Sequence, residues 1–407
     1  MSYEKVTERF LRYVSVGTAS EEDVVTVPST KQQLAFANLV AEEMTQMGLA
    51  NVRVTDHGYV YGEIPANCER EIPALGFVAH MDTSPDAPGE PVRPRIVSAY
   101  DGGVIELCED VFIDPETTHQ LHGYVGQDLI VTDGHTLLGA DDKAGVAEIL
   151  TMAEEVLSHP EWEHGRILVG FTPDEEVGRG PEFFDVEDFG ADIAYTVDGG
   201  TLGEIEYENF NAYSAVVNIK GFMIHPGFAK GLMKNAVTIG EEFDRMLPAN
   251  ERPEHTEGYE GYYYLDSFKG TTSEVTLLYV LRDFETEGME ARKELMKTSA
   301  AFLNERYGED TVEVTFHESY RNMKEKILPH FELIEAAQEA FRGCGVEPRV
   351  IPCRGGTDGA TLSFKGLPCP NLSACGENMH SVTEFVSIQS MQTMTGVLCE
   401  IVRLLSR

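Results

Sequence analysis

The sequence predicts an α/β fold in which a mostly parallel mixed sheet is flanked by helices and interrupted by a small inserted module. Three largely apolar runs, at 74–79, 166–172 and 193–197, are typical of strands that are buried on both faces. Helical patterns alternate with these runs, which indicates parallel pairing of the strands. The pattern changes near Asn211, where apolar and polar residues alternate as in an antiparallel strand with one buried face.

The N-terminal part of the chain supplies the first elements of this fold. Apolar residues spaced three and four apart predict amphipathic helices at 1–14 and 30–48. Residues 83–136 are rich in proline, glycine and aspartate, so we expect a long irregular segment with a small hairpin at 126–136. A helix is expected from Val146 to about Ser158, directly after an acidic turn.

The inserted module has its own order of elements: strand, helix, strand, strand, helix, strand. This order is typical of a ferredoxin-like βαββαβ lid domain, and Asn235 is expected to cap its first helix. The pattern of the first domain then resumes and ends with a helix at 386–405. The expected organisation is a catalytic α/β domain built from 1–210 and 321–407, with the lid domain at 211–320.

Charge and composition exclude several classes of protein. The chain has 407 residues, which suggests two domains, and its formal net charge is −38. Such an acidic surface should repel nucleic acid and anionic membranes. The seven cysteines include no C-x-x-C pair, so we expect reduced thiols and a cytoplasmic protein. The first residues lack the apolar core of a signal peptide, and no apolar run is long enough to cross a bilayer.

An acidic turn is the strongest local signal. Asp141 and Asp142 are adjacent in a glycine-bracketed turn that opens a helix, where free backbone amides favour anionic side chains. Two touching carboxylates still repel, so a positive charge is expected beside them. Lys143 is one candidate and a divalent metal is a better one, because one carboxylate can bridge two cations. The alternative is a capping pair on a surface turn.

Further metal-type residues follow predicted strands. His80, Glu176 and Asp198 lie just past strand ends, and His380 lies in a later turn. In open α/β sheets, residues beyond the carboxyl ends of strands converge on one site. Imidazole and carboxylate ligands suit zinc or another borderline divalent ion. Asp82 could orient the His80 imidazole by accepting a hydrogen bond from its other ring N–H. The alternative is that any single histidine at a strand end has a structural role.

Glu175 is the candidate general base. It is adjacent to Glu176, and neighbouring residues of an extended backbone cannot both face the same way. One of the two can therefore bind metal while the other faces the cleft, where a free carboxylate beside an activated water acts as a base. The alternative is an acidic surface loop that also includes Asp174.

Several motifs carry these residues. They are FVAHMDTSP from Phe77, LGADDKAG from Leu138, FTPDEEVG from Phe171, YTVDG from Tyr195, HPG from His225, EGYEGY from Glu257, LRDF from Leu281 and RGGTDGA from Arg354. Together they closely resemble the tripeptide aminopeptidase branch of the co-catalytic dizinc peptidases, a family related to glutamate carboxypeptidases and aminoacylases. The resemblance spans essentially the whole chain and implies the mixed sheet and lid of a zinc peptidase.

The resemblance implies a ligand set. His80 and Asp198 would bind one zinc ion, Glu176 and His380 would bind the other, and Asp141 would bridge them. Two Zn²⁺ ions per subunit are expected, with Co²⁺ or Mn²⁺ as alternatives. A cis peptide bond after the bridging aspartate is also implied.

The resemblance also implies roles around the metals. Glu175 would be the general base and Asp82 the orienting acid. His225, in the lid, would reach the substrate carbonyl or the tetrahedral oxyanion, and in dimeric relatives it comes from the partner subunit. Arg282 and Arg354 are candidates for holding the peptide's carboxylate or backbone, because guanidinium matches carboxylate bidentately. Their alternative is a structural ion pair in an acid-rich protein.

The expected function is removal of the N-terminal residue from tripeptides by a cytoplasmic dizinc aminopeptidase, with a homodimer formed through the lid as a further expectation. A dizinc dipeptidase, carboxypeptidase or N-acyl amino acid hydrolase could use the same centre. A catalytically inactive peptide-binding protein is a third alternative, but it would be expected to lack a ligand or the base, and all are present. No nucleic acid or membrane partner is expected.

Overall fold

The computed structural model describes residues 4–407, which fold into two compact units. The first contains residues 4–207, 325–351 and 357–407. The second contains Glu208–Lys324 and Pro352–Gly356. Within the described range, none of the helices combines the length and the apolar character needed to span a bilayer.

The helices and strands follow one another along the chain in an alternating order. In sequence they are α1 Glu4–Val14, α2 Lys31–Met47, β1 Ala50–Val54, β2 Val60–Ile64, β3 Leu75–His80, β4 Arg95–Val97, β5 Ile105–Cys108, β6 Val111–Ile113, β7 Leu129–Val131, α3 Ala140–Ser158, β8 Ile167–Thr172, α4 Val186–Phe189, β9 Ile193–Gly199, β10 Glu204–Glu206, β11 Asn211–Lys220, α5 Ala236–Arg245, β12 Tyr262–Gly270, β13 Glu274–Asp283, α6 Thr286–Tyr307, β14 Val312–Tyr320, α7 Lys324–Ile327, α8 Glu332–Gly343, β15 Arg349–Val350, α9 Asp358–Phe364, β16 Asn371–Ser373, β17 Gly376–Glu377, β18 Phe385–Ser387 and α10 Ile388–Leu405.

Eight strands of the first unit form its central mixed sheet, in the order β1-β2-β8-β3-β9-β16-β10-β15. The inner strands β8, β3, β9 and β16 are parallel, whereas β1 and β2 are antiparallel additions at one edge. Every residue of β3 and β8 is buried, as predicted for strands that are covered on both faces. Because parallel strands share a carboxyl edge, the residues that end or follow β3, β8 and β9 meet there.

The predicted hairpin at 126–136 is wrong. Only Leu129–Val131 forms a strand in this range, and this strand, β7, pairs with β4 and β18 instead of with a neighbour in sequence. All three of its residues are buried, so two partner strands satisfy its backbone better than one hairpin partner would. The closing helix also begins later than expected. Because Phe385–Ser387 forms β18, α10 begins at Ile388 instead of at residue 386.

The second unit has the predicted order of elements: β11, α5, β12, β13, α6 and β14. Its sheet has the order β12-β13-β11-β14, and every neighbouring pair is antiparallel. Both helices contact the sheet, and the core between them includes Phe243, Leu277 and Leu303. Asn235 caps α5 as predicted, because its side chain accepts a hydrogen bond from the Val237 amide at 3.1 Å.

Candidate metal centre and catalytic residues

The structure brings all five predicted metal ligands together in the first unit. They come from five separate segments: His80 at the end of β3, Asp141 at the start of α3, Glu176 in the turn after β8, Asp198 in β9 and His380 in the loop between β17 and β18. Most of these segments end or follow a strand, so the carboxyl edge of the sheet assembles the group.

The first group of ligand atoms contains His80, Asp141 and Asp198. The His80 Nε2 atom lies 2.9 Å from Asp141 Oδ1 and 3.4 Å from Asp198 Oδ1. One ligand atom from each of the three residues lies within 4.8 Å of the others. An imidazole and two carboxylates at this separation can surround a single divalent ion.

The second group contains Asp141 again, with Glu176 and His380. The His380 Nε2 atom lies 2.8 Å from Glu176 Oε2 and 3.2 Å from Asp141 Oδ2. Asp141 thus turns one carboxylate oxygen toward each histidine, which is the geometry of a carboxylate shared by two cations. The Glu176 Oε1 atom is buried and has no hydrogen-bond partner among the described residues, which leaves it available as a ligand.

The surrounding region concentrates negative charge. Its buried or half-buried carboxylates are Asp82, Asp141, Asp142, Glu175, Glu176, Asp198, Asp358 and Glu384. Burial and the charge of Asp141 raise the pKa of Glu176 to about 7. Hydrogen bonds to Asp141 and Glu176 raise the pKa of the His380 imidazole to about 11. Burying so many carboxylates together is unfavourable without positive charge, and the donor set fits divalent ions such as zinc.

Lys143 does not supply that positive charge efficiently. Its side chain is buried, and burial lowers the pKa of its ammonium group to about 7 although Glu384 and Asp82 act in the opposite direction. Its Nζ atom donates to the carbonyl of Val16 at 2.7 Å. Of the two candidates for a cation beside the acidic turn, the metal therefore fits the structure better.

Asp82 holds the turn that follows β8. Its carboxylate accepts hydrogen bonds from the amides of Glu175 and Glu176, at 3.0 and 3.1 Å. The Nδ1 atom of His80 lies 3.0 Å from the Asp82 carbonyl oxygen and 3.4 Å from its carboxylate. The nearer acceptor for the imidazole is therefore the backbone of Asp82, while its carboxylate positions the two glutamates.

Glu175 lies beside the two ligand groups without belonging to either. Its backbone is fixed by Asp82, and its neighbour Glu176 contributes to the second group. Burial raises the pKa of the Glu175 carboxyl, and the charges of Asp198 and Asp358 add to the rise. The arrangement places Glu176 in the second ligand group and leaves Glu175 outside both groups, and the assignment of Glu175 as the base stays a prediction.

Several contributing residues were not identified from the sequence. Asp142 accepts from the amides of His80 at 3.1 Å and Gly145 at 3.2 Å, and the Asp141–Asp142 peptide bond is cis, as the resemblance implies. The Nδ1 atom of His380 lies 3.2 Å from Ser84 Oγ and 3.1 Å from an Asp86 carboxylate oxygen. The sequence offers one indication for Ser84 and Asp86, which is that they lie in the same polar segment as His80.

Asp174 was interpreted only as part of an acidic loop. Its carboxylate accepts from the amide of Ser29 and from the side chain of Gln33, both at 2.7 Å. The Gln33 side chain in turn accepts from the Asp174 amide at 3.0 Å. Asp174 therefore anchors the turn that carries Glu175 to the N-terminal region of the chain.

The remaining predicted site residues, His225, Arg282 and Arg354, belong to the second unit. His225 is exposed, and its Nδ1 atom accepts from the Gly227 amide at 3.1 Å. The Arg354 guanidinium donates to four oxygens: the carbonyls of Gly258 (2.7 Å), Glu260 (3.0 Å) and Thr256 (3.4 Å), and the Thr256 hydroxyl (3.0 Å). These contacts match a structural role for Arg354 within its unit.

Arg282 has fewer partners in the second unit. Its Nη1 atom donates to the Leu281 carbonyl at 3.1 Å, and its guanidinium lies 5.2 Å from the centre of the Tyr320 ring. A cation over an aromatic face is a favourable contact that leaves several of the five guanidinium donors available. Arg282 is therefore better placed than Arg354 to bind a further acceptor.

Comparison with known proteins identifies the family. The family model for peptidase family M20/M25/M40 matches residues 129–404. The chain belongs to this family. Peptidase T of Caldanaerobacter subterraneus subsp. tengcongensis is 51% identical over 402 residues, covering 98% of each chain. The resemblance seen in the sequence is thereby confirmed, and the chain is a hydrolase that acts on peptide bonds.

Solved structures show the same fold. The crystal structure of aminopeptidase PepT from Bacillus cereus covers 100% of both chains, with a TM-score of 0.78 and 22% identity. A tripeptidase from Staphylococcus aureus has a TM-score of 0.80 at 22% identity and covers 100% of this chain and 99% of its own. These likenesses confirm the predicted mixed α/β architecture.

Replacement of Asp82 by asparagine tests whether this carboxylate positions the glutamate turn. In Asp82→Asn one acceptor oxygen becomes an NH₂ group, which faces the amide of Glu175 or Glu176. We expect metal affinity or kcat for peptide hydrolysis to fall by about 10–100-fold, as for other partners that orient metal ligands. The measurements are metal content after dialysis and steady-state kinetics.

Asp128→Asn is the matched control, because one Asp128 oxygen also accepts from a backbone amide, that of Ala99 at 2.9 Å, while the other accepts from Gln389, which is not a predicted site residue. We expect this variant to keep its activity. Normal metal content and normal kcat in Asp82→Asn would show that the two hydrogen bonds of Asp82 do not position the site.

Proposed function

We propose that the protein is a metal-dependent aminopeptidase that binds two divalent ions, zinc by the nature of the ligands, and releases the N-terminal residue of tripeptides. One observation carries this proposal: Asp141 directs its two carboxylate oxygens at two different imidazoles, each of which also contacts another carboxylate. His80 and Asp198 would hold one ion, and Glu176 and His380 the other. When bound, the ions would supply Lewis-acid activation of the attacking water and of the scissile carbonyl.

Glu175 performs the proton transfers in this proposal. It accepts a proton from the attacking water and then returns it to the leaving amine. Its position supports this role, since it is the carboxylate next to a ligand that is not itself in either ligand group. Asp82 keeps the Glu175 backbone fixed during both transfers, because its carboxylate accepts a 3.0 Å hydrogen bond from the Glu175 amide.

The second unit supplies the proposed substrate contacts. His225 would donate a hydrogen bond to the substrate carbonyl or to the oxyanion, and its exposed ring is free to make this contact. Arg282 would bind the peptide's terminal carboxylate or backbone through guanidinium donors that its own unit leaves available.

A homodimer through this unit and a cytoplasmic location complete the proposal, and the free cysteines support a reducing compartment.

The preference for tripeptides is supported by the relatives. Peptidase T of Caldanaerobacter subterraneus shares half of its residues with this chain over nearly its full length. Four of the motifs that resemble the tripeptide aminopeptidase branch carry His80, Asp141, Glu176 and Asp198. The direct test incubates metal-loaded protein with a tripeptide, the corresponding dipeptide and tetrapeptide, and an N-acetylated tripeptide.

We expect the free N-terminal residue to be released from the unblocked tripeptide, with little cleavage of the other three. Product identification by mass spectrometry distinguishes the alternatives. Release of the C-terminal residue would indicate a carboxypeptidase, and cleavage of the acetylated peptide at its acyl end would indicate an N-acyl amino acid hydrolase. Either result would contradict the proposed function.

Replacement of Glu175 by glutamine tests the proposed base. The variant should retain its fold and its metals, because Glu175 is in neither ligand group, but kcat should fall by about 10²–10⁴-fold, the usual contribution of a general base. Metal analysis, circular dichroism and saturating-substrate kinetics provide the measurements. The control is Glu187→Gln, an exposed glutamate on α4, which should leave kcat unchanged. A near-normal rate in Glu175→Gln would place the base elsewhere.

Replacement of His225 by alanine tests the role of the second unit. We expect bound metals to be unchanged and kcat to fall by about 10²-fold or more, as for loss of an oxyanion donor, with a smaller effect on KM. His255→Ala is the matched control, because His255 is another exposed histidine of the same unit, at the end of a short 3₁₀ helix. Full kcat in His225→Ala would show that this histidine is not catalytic.

A further inference from the structure

Glu384 is a buried carboxylate that the proposed mechanism does not use. Its side chain belongs to neither ligand group, and only 1% of the residue is exposed. Its Oε2 atom accepts from the amides of Leu138 (2.7 Å) and Gly139 (2.8 Å), and its Oε1 atom accepts from the amide of Asp141 (3.0 Å). Both oxygens are therefore committed to the backbone of the acidic turn.

The local backbone explains why the turn needs this partner. Gly139 has a positive φ of 80°, and α3 begins at the next residue, Ala140. The Asp141 amide lies in the first turn, where backbone donors have no partner within the helix, and the amides of Leu138 and Gly139 directly precede the helix. All three lie in a largely buried turn. A carboxylate from another segment can accept hydrogen bonds on both of its oxygens, whereas an amide side chain of the same shape accepts on only one. Glu384 thus fixes the path along which the chain enters Asp141.

Glu384 also belongs to the loop that carries His380. The two residues are four positions apart, and the Glu384 amide donates to the Ser381 carbonyl within this loop at 3.2 Å. The following strand, β18, pairs with β7, which leads toward the acidic turn. One side chain therefore connects the segment of His380 to the segment of Asp141, whose Oδ2 atom lies 3.2 Å from His380 Nε2.

We propose that Glu384 is the positioning residue that holds Asp141 between the two ligand groups, so that each of its oxygens faces one metal. The inference rests on the proposed function, because it assigns Asp141 the bridging position. Its consequence is specific: loss of the amide contacts at Glu384 weakens binding of both ions together, although Glu384 contributes no ligand atom to either group.

The test is Glu384→Gln, with Asp141→Ala and Glu377→Gln measured in parallel. Glutamine keeps the shape but offers one acceptor oxygen, so an NH₂ group must face at least one of the three amides. Glu377 is a matched control: it is 6% exposed, and it accepts from the hydroxyls of Tyr124 at 2.6 Å and Thr201 at 2.8 Å, neither of which is a predicted site residue.

Metal affinity is measured by calorimetric titration of the metal-free proteins with Zn²⁺, and folding by circular dichroism. We expect Glu384→Gln to remain folded and to bind both ions about 10–100-fold more weakly, with Glu377→Gln unchanged. The visible absorption spectrum at saturating Co²⁺ should also change in Glu384→Gln, because a displaced Asp141 alters the coordination of both ions. A residue that only stabilises the fold would not alter this spectrum.

The outcomes separate the two levels of the proposal. Wild-type Zn²⁺ affinity and an unchanged Co²⁺ spectrum in Glu384→Gln, together with loss of metal in Asp141→Ala, would overturn the positioning role and leave the proposed function intact. Two tightly bound ions in Asp141→Ala would overturn the bridging assignment itself.

If Glu384→Gln does not fold, Glu384→Asp provides the same measurements, since its shorter side chain cannot reach all three amides. Wild-type metal binding in Glu384→Asp would again contradict the inference.

Discussion

Electrostatic repulsion among buried carboxylates is the constraint on which the site depends. Eight acidic side chains lie at the carboxyl edge of the central sheet, most of them shielded from water. Such groups are stable only if each finds a cation or a set of hydrogen-bond donors. Some of these acids bind backbone amides, whereas the predicted ligands lack such donors, and this difference indicates their roles.

Asp82, Asp142 and Glu384 are stabilised by backbone amides. Asp82 accepts hydrogen bonds from the amides of Glu175 and Glu176. Asp142 accepts one from the amide at the end of β3, and Glu384 accepts from the amides at the start of α3. Apart from the hydrogen bond of Asp142 with the Gly145 amide, each of these acids binds amides of a different segment, so together they connect the segments that carry the predicted ligands. Their hydrogen bonds account for the fixed positions of the predicted ligands and base.

Asp141, Glu176 and Asp198 are stabilised differently. Their carboxylate oxygens point toward one another and toward two imidazoles, and a buried oxygen of Glu176 has no partner among the described residues. Burial raises the pKa of Asp198 to about 7, with Asp141 and Asp358 adding to the rise. This set therefore lacks the donors that satisfy the first set, and two divalent ions would supply the missing positive charge.

The sequence contained enough information to predict which metal-type residues converge at the candidate centre, but not which acids bind the backbone amides around them. His80, Asp141, Glu176 and Asp198 each follow an apolar run or lie in a distinctive turn, and sheet geometry alone brings such positions together. Glu384 has no comparable local signal, because its partners lie about 245 residues earlier in the chain.

Two further differences have the same origin. The hairpin at 126–136 was not predictable correctly because β7 pairs with β4 and with β18, which is far away in sequence. The structural contacts of Arg354 depend on carbonyl groups nearly a hundred residues away. Local pattern identifies elements and motifs, whereas the choice between competing long-range partners requires the folded chain.

The central claim is that Asp141 is shared by two divalent ions. Its most direct test is anomalous diffraction from crystals of the metal-loaded protein, recorded at the zinc absorption edge. The account predicts two peaks per chain, one beside His80 and Asp198 and one beside Glu176 and His380, each about 2.0–2.2 Å from a different oxygen of Asp141. A single peak, or two peaks of which one does not contact Asp141, would contradict it.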